Sequence, residues 1–170
     1  VNSGCVSHEI LIRPFERDDV PMVLGLMHEL AVFERYSEKF RVRESDIVEH
    51  GLGDSPCFGV FVAEIDGGVA GIAVYYIVPW TYDLKPVLVL KELFVSKGFR
   101  GLGVGGRLLA KLDSYALEVG ASRIVWKVLK DNVAAKRFYE KAGGKKDSVW
   151  ELWGLEISST ERNMDEDSNW

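Results

Sequence analysis

Residues 101–106 read GLGVGG, four glycines in six positions, set between the strand-like run LFV at 93–95 and a helical apolar stripe that begins at Val104. Each glycine gives up more chain entropy on ordering than any other residue, so such a cluster inside a domain calls for a compensating interaction. Gly101, Gly103 and Gly106 fit the pattern G-x-G-x-x-G. Its dinucleotide-binding form follows a strand almost directly within a βαβ unit, whereas here SKGFR intervenes. A nucleoside-triphosphate loop is excluded more firmly, because Arg107 and Leu108 stand where Lys and Ser or Thr would follow the last glycine. What both patterns share still applies: uncovered N–H groups at a helix N-terminus, with Arg100 beside them, suit a pyrophosphate. A plain tight strand-to-helix turn is the alternative.

The rest of the composition narrows the class. A chain of 170 residues that is 47% hydrophobic and 28% charged can bury one substantial core. We read a single domain over residues 1–157, followed by a polar, acidic tail over 158–170, SSTERNMDEDSNW. A net charge of −5 opposes a nucleic-acid partner, which would require a basic face. Cys5 and Cys57 are expected to be free thiols in a reducing, cytoplasmic setting. The absence of 18 consecutive apolar residues, and of a signal-peptide pattern at the start, predicts no membrane partner. His8, His28 and His50 lack metal-ligand spacing, so no metal is expected.

Periodicity supplies the elements. HEILIRPF alternates as a strand and ends at Pro14. Val20, Val23, Leu24, Met27 and Leu30 mark a helix with Asp18 or Asp19 at its N-cap and Pro21 in its first turn. A shorter helix, ESDIVEHGL, stops at GDSP. CFGVFVAEI and VAGIAVYYIV are strands joined by a hairpin turn at Asp66, Gly67 and Gly68, and PVLVLKELFV is a third. After the glycines come a helix, the strand SRIVWKVL, a helix from Asn132 to Gly143, and a final strand in SVWELWGLEI, with room for one more near residues 144–149. This order, strand, two helices, three antiparallel strands, helix, strand, helix and strand, predicts an α/β fold of the α+β kind, a mixed sheet with helices on its faces.

With these residues in place a family resemblance appears. The run from Arg100 to Gly105 resembles the R/Q-x-x-G-x-G/A motif of the GNAT family of N-acetyltransferases, and NVAAKRFYEKAGG is similar to that family's second motif. ELAVFERY, GLGDSPCFGVFVAE, GIAVYYIV and LKELFV resemble the diamine branch, the spermidine/spermine and thialysine enzymes, and the similarity runs over residues 8 to 157.

The resemblance implies acetyl-CoA as acyl donor. It implies that Leu93, Phe94 and Val95 pair with the pantetheine arm and that Arg100, Gly101, Leu102, Gly103, Val104, Gly105 and Gly106 hold the diphosphate. Ile124, Val125, Trp126, Asn132, Val133, Ala134 and Ala135 would line the rest of the arm, which enters where the strands ending at Val95 and Val128 splay apart. Tyr139 takes the place of the general acid, since a phenol near pKa 10 still carries its proton at pH 7. The amine must be deprotonated, and Glu92 is the candidate base, although Lys91 stands where the branch carries a second acid. Regular alternation along the strand would set Lys91 and Glu92 on opposite faces, with at most one of them in the cleft. Phe33 and Glu34 match an aromatic-acid pair that holds a distal ammonium, with Trp80, Tyr82 and Asp83 offering further aromatic and acidic contacts. Lys91 and Arg35 add positive charge, which favours a compact diamine or a lysine-like amino acid over spermine. A protein or peptide amine substrate, or a non-catalytic CoA-binding or nucleotide-binding module, is the competing reading. The resemblance also implies a homodimer.

Overall fold

The computed structural model describes residues 9–157, so the acidic tail, Cys5 and His8 lie outside the described residues. Five strands form one sheet in the order of the chain: β1 (Ile10–Pro14), β2 (Gly59–Ile65), β3 (Gly68–Val78), β4 (Val87–Val95) and β5 (Arg123–Trp126). The first four are antiparallel to their neighbours and β5 runs parallel to β4. Four helices complete the fold: α1 (Val20–Phe33), α2 (Glu44–Leu52), α3 (Val104–Glu118) and α4 (Val133–Lys141).

The sheet divides two cores. Alternating side chains such as Val60, Val62 and Ile72 join α1 and α2 on one face, while Phe61, Ala63 and Ala73 join Leu108, Leu112 and Ala116 of α3 on the other. The buried positions of α3 recur at four-residue intervals, the spacing of one helical face. Turn chemistry agrees with the sequence. Asp66 and Gly67 form the two-residue β2–β3 turn with φ of 52° and 81°, the left-handed pair that a tight hairpin needs.

Two expectations change. Asp19 occupies the N-cap of α1 but makes no capping bond there. Its carboxylate instead accepts from the Glu16 backbone N–H at 2.7 Å and from the Arg13 guanidinium at 2.6 and 3.0 Å, and that cation pulls its pKa below the ordinary value. The strand expected in SVWELWGLEI does not form: residues 145–157 enter no helix or strand. The Asp147 carboxylate accepts the backbone N–H groups of Val149 (2.8 Å) and Trp150 (2.9 Å), which turns the chain and removes two donors that a ladder would need.

Candidate active site

Strand β5 pairs with β4 only from Val87–Arg123 to Leu90–Trp126, yet β4 continues to Val95. Beyond Leu90 the β5 side of β4 is unpartnered, and residues 127–129, expected to extend the strand, leave it. A cavity of about 300 Å³ opens in the gap. Its walls are the end of α1, residues 90–95 of β4, Arg100, the start of α3, residues 126–129, and α4.

Of the residues singled out in the sequence, this cleft gathers Phe33, Glu34, Lys91, Glu92, Leu93, Phe94, Val95, Arg100, Gly105, Trp126, Asn132, Ala134, Ala135 and Tyr139. Gly101, Leu102, Gly103, Val104 and Gly106 are not among its walls; they form the adjoining loop and first turn of α3. Ile124 and Val125 sit within the β4–β5 ladder, and Val133 points outward from α4. Trp80 and Tyr82 also stay outside the cleft, because the β3–β4 loop joins β4 at Val87, away from its open end. Trp80 lies under the Arg123 guanidinium at 5.0 Å, and Tyr82 is exposed. Asp83 bonds the Lys85 backbone N–H at 3.0 Å.

Lys91 and Glu92 do not alternate. The ladder steps from Val74–Glu92 to Tyr75–Leu90, so Lys91 is the extra residue of a β-bulge. Leu88 and Leu90 before the bulge, and Leu93 and Val95 after it, pack on the α3 side, whereas Phe94 packs with α1. The two residues between them therefore share the α1 side, and both line the cleft.

Glu92 is the unusual group. Its Oε2 is fully buried and finds no hydrogen-bond partner among the described residues. Burial, and then the repulsion of the Glu34 carboxylate, raise its pKa, while the Lys91 ammonium opposes the shift. The phenols of Tyr36 and Tyr76 feel the same carboxylate: burial and then Glu92 push both up, Tyr36 to about 12. These two tyrosines were missed in the sequence. Tyr76 carried no signal, since its nearness to Glu92 depends on the register between β3 and β4. Tyr36 follows Glu34 by two residues, but its direction is set by the turn after α1.

That turn is a Schellman motif with Arg35 at the position that usually holds glycine. Tyr36 N donates to Ala31 O at 2.9 Å and Arg35 N to Val32 O at 3.2 Å, with Arg35 at φ 64°. Arg35 itself is exposed and outside the cleft, so its charge is not the one that the cleft presents.

On the opposite wall, Asn132 caps α4 by accepting from the Ala135 N–H at 3.0 Å. The helix ends in a second Schellman motif, with Gly143 N bonding Glu140 O at 3.0 Å and Gly144 N bonding Tyr139 O at 2.9 Å. Between these caps Tyr139 packs on the Trp126 indole at 4.7 Å and meets Phe138 edge-on at 5.1 Å. Burial, with Glu34 adding to it, pushes the Tyr139 phenol up to about 12.

The glycine loop has the features of an anion cradle. Gly101 and Gly103 both adopt φ 82°, a conformation that side chains resist, and Gly103 is the N-cap of α3. Nothing lies within 4 Å of where a Cβ would stand on Gly101, Gly103 or Gly106. The N–H groups of Val104, Gly105 and Gly106, the first turn, have no acceptor within the helix, and the macrodipole adds positive potential. Arg100 is anchored beside the cradle by its Nε–H, which donates to Val95 O at 2.9 Å.

The chain is similar to several known proteins. Thialysine N-epsilon-acetyltransferase of Sus scrofa is 28% identical over 152 residues, covering 85% of this chain and 89% of the relative. Spermidine/spermine N(1)-acetyltransferase-like protein 1 of Homo sapiens is 29% identical over 163 residues, 91% of this chain, which spans 23% of that longer protein. Among solved structures, an aminoglycoside acetyltransferase from an uncultured soil metagenomic sample superimposes with a TM-score of 0.71 at 17% identity, covering 86% of this chain and 97% of that one. The sequence pattern of the Acetyltransferase (GNAT) family matches residues 24–144. The chain belongs to this family and is an N-acetyltransferase.

Proposed function

We propose that the protein acetylates a primary amine of a small diamine, polyamine or lysine-like amino acid, with acetyl-CoA as donor. The observation that carries this reading is that one cleft is lined by both a carboxylate with a buried oxygen, Glu92 on β4, and a half-buried phenol, Tyr139 on α4, at the point where β4 and β5 part. Relatives named for thialysine and for L-ornithine, the latter 24% identical over 182 residues, support an amine of this size.

Acetyl-CoA, when bound, supplies the acetyl thioester. The cradle from Gly101 to Gly106, with Arg100, would hold its diphosphate, and the unpartnered edge at Leu93, Phe94 and Val95 would receive its amide-bearing arm. An alkylammonium has a pKa near 10.4 and must lose a proton before its nitrogen can attack. Glu92, with its raised proton affinity and an open buried oxygen, accepts that proton at Oε2, directly or through water. Tyr139 keeps its own proton at neutral pH because its pKa stands at about 12. Its Oη–H then serves the leaving sulfur as a hydrogen-bond donor; full transfer to a thiolate of ordinary pKa, about 8.5, is uphill. Phe33 and Glu34 offer a π-face and a carboxylate to a second cationic group. Lys91, in the cleft beside Glu92, repels a further ammonium and attracts a carboxylate. Thialysine and ornithine should therefore surpass spermine in kcat/KM.

Six large apolar residues, Val149, Trp150, Leu152, Trp153, Leu155 and Ile157, are each more than 70% exposed, the kind of clustered apolar exposure that marks an interaction surface. A second copy that covers them would make the homodimer that the sequence resemblance implies. Sedimentation of a Trp153→Glu variant as a monomer, against a dimeric parent, tests this.

The central experiment is thiol release from acetyl-CoA with a panel of thialysine, ornithine, spermidine, spermine and a lysine peptide, repeated with Lys91→Glu and Tyr139→Phe. The reading expects thialysine or ornithine to lead, Lys91→Glu to shift the ranking toward spermine, and Tyr139→Phe, which removes a hydrogen-bond donor to developing charge, to lower kcat by about 10²–10³. Exclusive use of the peptide would establish the competing substrate class. Stabilisation by CoA without turnover on any amine would make the protein a CoA-binding module.

A further inference from the structure

The two glycines that close α4 serve different ends. Gly143 has φ 89° and supplies the left-handed turn of the Schellman motif. Gly144 has no such backbone need, since its φ is not in the left-handed region. What it lacks is room. A Cβ on Gly144 would stand 2.7 Å from Cζ2 and 3.0 Å from Cη2 of Trp126, and 3.0 Å from the Tyr139 carbonyl oxygen. The six-membered ring of the indole thus lies against Gly144, and the Tyr139 ring packs on the same indole at 4.7 Å, tilted by 33°. Strand pairing with Leu90 fixes the Trp126 backbone, and the hydrogen bond from Gly144 N to Tyr139 O fixes the end of α4.

We propose that Gly144 is a positioning residue for Tyr139: by carrying no side chain it lets the Trp126 indole slide under the end of α4 and brace the phenol in the cleft. This rests on the reading of Tyr139 as the proton-bearing group of the transfer. A methyl group at position 144 cannot be absorbed by α4, whose carbonyl is one of the atoms in the way, so the indole moves and the phenol moves with it. Displacements of about 1 Å at a reacting group cost up to about 10²-fold in rate.

The test is Gly144→Ala alone and in the Tyr139→Phe and Trp126→Phe backgrounds, with kcat measured on the best amine of the panel. The single variant is expected to melt cooperatively, to bind acetyl-CoA with KM changed less than about threefold, and to lose about tenfold or more in kcat. Trp126→Phe deletes the two ring atoms in the way, and Tyr139→Phe removes the group being aimed, so in either background Gly144→Ala should cost less than about twofold further. A readout independent of turnover comes from fluorotyrosine labelling, with the Tyr139 resonance identified by its loss in Tyr139→Phe. That resonance should shift in Gly144→Ala while Tyr75, in the α3-side core, stays in place. An undiminished kcat, a full additional loss in the Tyr139→Phe background, an unmoved Tyr139 resonance or loss of the cooperative melt would each overturn the proposal. Failure of Tyr139→Phe itself to lower kcat would instead remove the catalytic reading on which it rests.

Discussion

Lys91 and Glu92 are neighbours on a β-strand and turn to the same side of the sheet, because the bulge in β4 sets Val74 and Tyr75 of β3 against Glu92 and Leu90 and leaves Lys91 over. The cation and the carboxylate thus meet in one cleft. This bulge decides both the charge seen by an incoming amine and the proton affinity of the group that would deprotonate it.

Glu92→Gln should lower kcat by about 10²–10⁴ and raise stability near neutral pH. The Glu92 pKa is raised in the fold, so the native state binds the proton more tightly than the unfolded chain does. Its contribution to stability is complete below the unfolded carboxyl pKa and is lost as pH rises through the folded one. Glutamine mimics the protonated form at every pH. Melting curves from pH 4 to 8 should show the variant gaining on the parent as pH rises, and a gap that stays constant would remove Glu92 from the list of perturbed groups.

Gly103→Val should abolish stabilisation by acetyl-CoA while leaving a folded protein. The backbone at φ 82° costs a branched residue roughly 1–2 kcal/mol, within the stability margin of a domain of this size. The parent should gain about 2.7 kcal/mol at a ligand concentration a hundred times Kd. If the variant still shifts its Tm with acetyl-CoA, the glycines are only a turn.

Arg35→Gly should stabilise the fold, by roughly 0.5–1 kcal/mol once the relief of left-handed strain is set against the greater freedom of the unfolded chain. Chemical denaturation reads this directly. A decrease in stability would show that the Arg35 side chain contributes more than its backbone costs.

Asp19→Ala should destabilise by about 2–3 kcal/mol at pH 7, since it removes the two bonds from the Arg13 guanidinium and the one from the Glu16 N–H, and leaves that half-buried guanidinium with Glu64 and the Pro14 carbonyl. The Asp19 pKa is lowered in the fold, so this contribution exists above the unfolded carboxyl pKa and disappears as pH falls through the depressed value. Urea titrations at pH 7 and pH 3 should show the difference from the parent narrowing in acid. An equal difference at both would assign the loss to packing alone.

Much of this enzyme is legible along the chain, because its signals are local. The left-handed glycines at 67, 101 and 103, the Asn132 cap and the four-residue spacing in α3 each reflect the conformation or packing of a few consecutive residues, and each stands where the sequence places it. The run from Val149 to Ile157 shows where such reading fails: an alternating apolar pattern describes side chains, whereas a strand also needs a neighbour with free hydrogen-bonding groups, and the Asp147 turn withdraws two of its own. The cleft depends on tertiary structure in the same way. Parting of β5 from β4 after Leu90, the shared face of Lys91 and Glu92, the nearness of Tyr36 and Tyr76 to that carboxylate, and the contacts of Trp126 with Gly144 and Tyr139 are all set by register between segments distant in the chain. Residue types and their spacing determined which chemical groups the protein owns; strand register, which no single segment encodes, decided which of them share a cavity and with what proton affinity.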